Sequence, residues 1–189
     1  MTAPMSNEQR LMQDFEAAGV KVTVHEHQAV FTVEESVDLH AAIPGAHTKN
    51  LFLRSDKDRY WLVTLPHDRR ADLKFIASRL GAGKLSFAKP EAMAQLLGIT
   101  PGAVSPLAAF NDRESRVQVV IDASFLGADT INVHPLRNTA TVSMSTADLL
   151  SMLERWGHHP IVLQLEHVLQ PRQVEIAAAD DTHDPSSGR

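Results

Sequence analysis

The 189-residue chain contains no cysteine. That absence excludes a disulfide, a thiolate metal site and a cysteine nucleophile, so its chemistry must rest on oxygen, nitrogen and backbone groups. No apolar run approaches the roughly 18 residues that a membrane span needs. Residues 1–9 also lack the basic-then-apolar layout of a signal peptide, so the chain reads as cytoplasmic, with no membrane partner. There is no GxGxxG or GxxxxGK(S/T) phosphate loop, no GxSxG around Ser143 or Ser145 to support a serine hydrolase, and no repeat at a solenoid period. What is present is 43% hydrophobic content, enough for one domain with a proper core. The domain is expected over residues 1–170. Residues 171–189 are polar, alanine-rich or acidic and read as a flexible tail.

The net charge of −5 argues against a protein that coats nucleic acid indiscriminately. The charge is uneven, however: residues 49–89 hold 10 Lys and Arg against 4 Asp and Glu, while the remainder holds 8 against 19. A basic middle in an acidic chain suits contact with one region of an anionic partner, although a solvated helix face with salt bridges gives the same pattern.

Hydrophobic period and capping signals place the elements. Ser6 opens a Ser-x-x-Gln capping box before an amphipathic helix carrying Leu11, Met12, Phe15 and Ala18, which Gly19 stops. Residues 21–27 alternate as a strand, with Val22 and Val24 on one face and Lys21, Thr23, His25 and His27 on the other. Thr32 with Glu35 forms a second capping box, for a short helix ended by Pro44-Gly45. Residues 49–54 and 60–65 read as a hairpin, with Lys49 at the first strand's beginning. A helix marked by Leu73, Ile76 and Leu80 carries Arg69, Arg70, Lys74 and Arg79 on its outer face, and residues 84–88 make a short strand. Residues 90–97 form a helix with proline in its first turn, and residues 98–106 an irregular loop. Strands at 117–121, 131–134 and 140–143, a helix at 146–156 and a strand at 160–165 complete a mixed α/β domain. Its expected centre is a largely antiparallel sheet surrounded by helices.

Several polar positions are candidates for chemistry. Gly102, between Pro101 and Pro106, fixes an unusual loop; such a loop is either a plain turn or a set of backbone N–H groups, at Gly102 and Ala103, aimed at a developing oxyanion. Lys49 is flanked by Thr48 and Asn50 and followed by an apolar strand, so its ammonium projects from the sheet's end. A lysine titrating near about 10.4 is a poor base at neutral pH, so Lys49 suits anchoring of phosphate or ribose oxygens, with Asn50 adding a neutral hydrogen bond beside it. His134 is either a structural hydrogen bonder or a group that orients a water or a ribose, and Asn138 and Thr139 fix the adjoining turn or line a pocket. His25 and His27 share a strand face without a third ligand at convincing spacing, so no metal is expected. His158 and His159 suit capping of a helix end, and Trp61 and Trp156 suit the core.

In order and content, residues 47–53, 98–106 and 134–141 resemble the YbaK and prolyl-tRNA synthetase insertion-domain family of editing deacylases. The likeness is nearest to the free-standing branch that clears alanine from proline tRNA, and it covers approximately residues 8–166. It implies hydrolysis of the ester between a wrong amino acid and tRNA, without a cofactor. The loop of Gly102, Ala103, Ser105 and Pro106 would hold the aminoacyl carbonyl, and Lys49 the terminal nucleotide. Val30 and Phe31 would form a small apolar wall, and Arg69, Arg70, Lys74, Arg79 and Lys84 would meet the RNA. The expected partner is the acceptor end of proline tRNA, with prolyl-tRNA synthetase or an elongation factor as transient partners. A cysteine-specific deacylase and a noncatalytic RNA- or protein-binding module are the alternatives.

Overall fold

Ser6 caps the first helix as its sequence predicts. Its Oγ accepts from the Gln9 amide at 3.1 Å while the Gln9 side chain accepts from the Ser6 amide at 2.9 Å. Helix α1 (Asn7–Ala18) then runs to Gly19, whose φ of +71° belongs to the left-handed region that a glycine stop provides. The structure is a computed structural model describing residues 4–29 and 33–165, and side chains throughout those residues except 33–36. Val30, Phe31, the Thr32 cap and the segment after residue 165 lie outside the described residues.

The remaining order is β1 (Thr23–Glu26), α2 (Val33–Ala42), β2 (Ala46–Ser55), β3 (Tyr60–Pro66), α3 (Leu73–Leu80), β4 (Leu85–Phe87), α4 (Pro90–Leu97), β5 (Val117–Asp122), β6 (Thr130–Val133), β7 (Ala140–Ser145), α5 (Thr146–Arg155) and β8 (Ile161–Leu163). Two 3-10 turns, Pro106–Asn111 and Ala123–Gly127, flank β5. The eight strands form one mixed sheet in the order β1-β7-β6-β2-β3-β5-β8, with β4 also paired to β2. The β1–β7, β6–β7, β2–β3 and β2–β4 pairs are antiparallel, and β2–β6, β3–β5 and β5–β8 are parallel.

Strand β2 organises the sheet. Its first residues, Ala46 and His47, pair with Ile131 and Asn132 of β6, and from Thr48 onward it pairs with β3. Apolar alternation along it feeds two cores. Leu51 and Leu53 join Ile76 and Ala77 of α3 on one side, and Phe52 joins Leu62 and the α4 residues Met93, Leu96 and Leu97 on the other. A third core packs Leu11 and Phe15 of α1 and Leu149, Met152 and Leu153 of α5 against Ile131, Val133, Val142 and Met144.

Three expectations need correction. β2 begins at Ala46, so Lys49 stands inside the strand and not at its start. Arg69 and Arg70 precede the α3 cap, where the Asp72 carboxylate accepts from the Lys74 and Phe75 amides; the outer face of the helix itself carries only Lys74 and Arg79. His158 is buried and does not cap α5 with its charge: its Nε2 lies 3.1 and 3.0 Å from the carbonyls of Ala109 and Asp112, tying the approach to β8 to the first 3-10 turn.

Candidate active site

Register brings together polar residues distant in sequence. Paired residues of neighbouring strands project to the same side, so His47↔Asn132, Asn132↔Ser143 and Ser143↔Thr23 make one row across β2, β6, β7 and β1. The row is hydrogen-bonded. The Ser143 hydroxyl donates to Asn132 Oδ1 at 2.5 Å, Asn132 Nδ2 donates to the Pro44 carbonyl at 3.0 Å, and His25 Nε2 lies 3.0 Å from Ser143 Oγ. His27 Nε2 lies 3.0 Å from Thr141 Oγ1. The other face of these strands supplies the α1/α5 core, so this face is polar because it is not the one that helices α1 and α5 cover. His25 and His27 bind hydroxyls. Among the described residues no group of three or more His, Cys, Asp or Glu is arranged to hold a metal ion.

His134 follows β6 at the end of this face. Its Nδ1 lies 2.9 Å from the Ala140 carbonyl, which can only accept, so Nδ1 carries the proton and Nε2 is the acceptor in the neutral ring. Burial holds its pKa below the usual histidine range against the pull of that carbonyl bond, and proximity of His27 lowers it further. His134 is therefore neutral at pH 7, with a basic nitrogen available to a water or a hydroxyl.

Lys49 lies on the His47 side of β2 and donates from Nζ to the Arg69 carbonyl at 2.7 Å. One ammonium proton holds the 67–69 turn, leaving two further N–H donors. Asn50 faces the opposite side, where it accepts from Thr64 Oγ1 at 2.8 Å and donates to Thr48 Oγ1 at 3.2 Å, so it does not sit beside the ammonium. Both sides of β2 are half-exposed from Ala46 to Asn50. A ligand can touch both there.

The glycine loop closes as a turn. Ala103 N–H donates to the Thr100 carbonyl at 3.1 Å, with Pro101 and Gly102 between and Gly102 at φ +91°, the residue pattern of a type II turn. The Ala103 amide is thus engaged internally, which corrects its expected role as an oxyanion donor. Among the described residues, the Gly102 and Val104 amides donate to no acceptor. Ser105 is buried, and its Oγ accepts from the Leu107 amide at 3.2 Å as cap of the 3-10 turn; Pro106 is the buried first residue of that turn. Both are structural here. A Cβ on Gly102 would lie 3.3 Å from Asn138 Nδ2, so glycine permits this close approach. The 134–139 turn connects the two sides: His134 stands with the polar face, Leu136 packs against the α4 core at a φ of +67°, and Asn138 lies over Gly102.

Arg137, not singled out in the sequence, ties this turn down. It forms bidentate pairs with Glu26 at 2.6 and 2.9 Å, contacts both Glu8 oxygens through Nε, and donates to Thr139 Oγ1 at 2.8 Å. The Arg137 bond lowers the Glu26 pKa, and the two carboxylates raise that of Arg137. The clamp joins α1, β1 and the β6–β7 turn. Of the expected RNA contacts, Arg70, Lys74, Arg79 and Lys84 are exposed, and Lys74 and Lys84 flank an apolar groove of about 760 Å³ between α3 and β4. Arg69 is turned inward, its Nη1 3.8 Å from the fully buried Asp122 carboxylate.

Comparison with known proteins shows the family and the fold. A family model described as the aminoacyl-tRNA editing domain matches residues 27–152. The prolyl-tRNA synthetase associated domain-containing protein 1 of Bos taurus is 40% identical over 161 residues, covering 82% of this chain and 94% of that protein. The prolyl-tRNA editing protein ProX of Acetoanaerobium sticklandii is 35% identical over 155 residues, with 82% and 94% covered. Among solved structures, one presented as a candidate trans-editing enzyme for prolyl tRNA synthetase superposes with a TM-score of 0.62 at 23% identity, covering 85% of this chain and 99% of that one. The last is a likeness of fold.

Proposed function

The chain belongs to the aminoacyl-tRNA editing domain family, and on that premise we propose that it is a free-standing hydrolase removing alanine from mischarged proline tRNA in the cytoplasm. The observation that carries this reading is the His134 ring, neutral, tautomerically fixed by the Ala140 carbonyl and set on the same polar face as Lys49. The two free N–H donors of Lys49 hold phosphate or ribose oxygens of the RNA's 3′ end. His134 Nε2 accepts a hydrogen bond from the attacking water or from the terminal ribose hydroxyl. Water oxygen bonds to the carbonyl carbon, the ester C–O bond breaks, and the ribose oxygen takes up a proton, releasing the amino acid and intact RNA. The Gly102 and Val104 amides, across β2, are the backbone donors left to stabilise the oxyanion. With no thiol in the chain, the substrate's own ribose hydroxyl helps position the water.

The selectivity has a physical rationale. A synthetic pocket made for proline cannot exclude the smaller alanine by size, whereas a tighter second pocket admits alanine and rejects proline. Val30 and Phe31 are the proposed wall of that pocket. Arg70, Lys74, Arg79 and Lys84 are the proposed contacts to the acceptor stem, with prolyl-tRNA synthetase or an elongation factor as transient partners.

The test is to incubate the purified protein with alanyl-, cysteinyl- and prolyl-tRNA for proline and to follow loss of each ester. Turnover of the alanyl ester alone, abolished by Lys49→Ala, is the expected result. Preferred turnover of the cysteinyl ester overturns the alanine assignment, and stoichiometric binding without turnover overturns the hydrolase.

A further inference from the structure

Three imidazoles from three separate elements pack together beside Lys49. His40 lies in the last turn of α2, His47 in β2, and His67 just past the end of β3. The His40 ring centroid is 4.2 Å from those of both His47 and His67, which are 5.8 Å from each other. His40 and His47 are half-buried, while His67 is exposed at the outer end. The outer ring is held close to the lysine by two links. The His67 amide donates to the His47 carbonyl at 3.1 Å, and Lys49 Nζ donates to the Arg69 carbonyl at 2.7 Å, so the 67–69 turn is pinned to β2 on either side of Thr48.

We infer that His40, His47 and His67 form a stacking platform for the terminal nucleobase of the RNA 3′ end, with His67 presenting the outer ring; the identity of the ligand rests on the function proposed above. Aromatic and imidazole rings hold splayed single-stranded bases, and a cation beside such a ring takes the backbone. Both parts are present, since Lys49 is bonded to the turn that carries the ring and Arg70 is exposed three residues further along the chain. The two inner rings, His40 and His47, remain uncharged near neutrality. Burial, then repulsion by His47, His67 and His134, brings the His40 pKa down to about 4, and burial lowers that of His47. A metal site is a poor alternative, since the rings meet by faces and edges and His47 Nε2 already lies 2.7 Å from the Ile43 carbonyl. Nor is His67 a core residue, because it is exposed.

A labelled acceptor-stem hairpin RNA ending in CCA, compared with the same RNA whose last nucleotide is abasic, tests the inference by fluorescence anisotropy. His67→Ala is expected to weaken binding of the intact end by about 5- to 100-fold, the effect of losing one base stack, and to leave binding of the abasic end unchanged. His67→Phe is expected to retain wild-type affinity. With alanyl-tRNA, KM rises in His67→Ala while kcat stays within about twofold, the split expected when only binding is lost. Equal losses for the two RNAs, no loss, or a Phe variant as weak as Ala overturns the platform. Base-dependent binding without turnover of any ester upholds the platform and overturns the hydrolase; turnover without base dependence does the reverse. Absence of RNA binding overturns both.

Discussion

His134, Gly102 and His40 each owe their properties to neighbours that the fold packs against them. Gly102 combines a positive φ with a 3.3 Å approach to Asn138, so Gly102→Ala brings backbone strain and crowding together. The expected cost is about 1–3 kcal/mol in urea unfolding, with a fall in deacylation larger than the stability loss explains. For His40, the folded-state pKa near 4 lies below the roughly 6.5 of an unfolded histidine. The unfolded chain therefore binds more protons between those values, and the associated stability is complete above about pH 6.5 and is lost as the pH falls toward 4. His47 and His134, whose pKa values are lowered as well, steepen the loss. Melting temperature against pH should show this slope, and His40→Phe, which keeps a ring without a proton, should flatten part of it. Of these residues the sequence marks Gly102 and His134 by their motifs. It does not mark the histidine cluster, because His40 and His67 meet only after β2 and β3 pair.

At the level of elements, local chemistry decides the helices. The Ser6–Gln9 capping box, proline at the start of α4 and the left-handed glycines ending α1, α3 and α4 act within a few residues of chain, so helix boundaries are readable from sequence. Arg69, Arg70 and His158 show where local reading fails. Asp72 starts α3 at Leu73, which leaves Arg69 and Arg70 off the helix face, and His158 forgoes a cap's exposure to bond two carbonyls across the fold. His158→Leu should remove the ring's bonds to those two carbonyls, each of which keeps a backbone N–H donor, lowering stability by about 0.5–1.5 kcal/mol in urea unfolding. His158→Asn should recover part of this if its amide reaches either carbonyl.

For the whole molecule, the acidic balance and the basic stretch at residues 49–89 act together. RNA affinity should fall with added salt, and Lys74→Ala and Arg79→Ala should each reduce the slope of log affinity against log salt by about 0.7–0.9, the release of one counterion. Arg69→Ala should instead lower stability, because its guanidinium faces buried Asp122. Deleting residues 171–189 should leave melting temperature and deacylation unchanged, checked by scanning calorimetry and ester loss. The sequence alone determined the chemistry available, which excludes thiols, the helix caps, the strand segments and the three polar blocks, since composition and short-range hydrogen bonding need no partner from elsewhere. Tertiary structure decided the parallel pairings of β2 with β6 and β3 with β5, and the side of β2 to which each site residue points. It also directed the Ala103 amide to a turn and brought three histidines together. Those outcomes depend on register between strands tens of residues apart, where a shift of one residue sends every side chain to the opposite face.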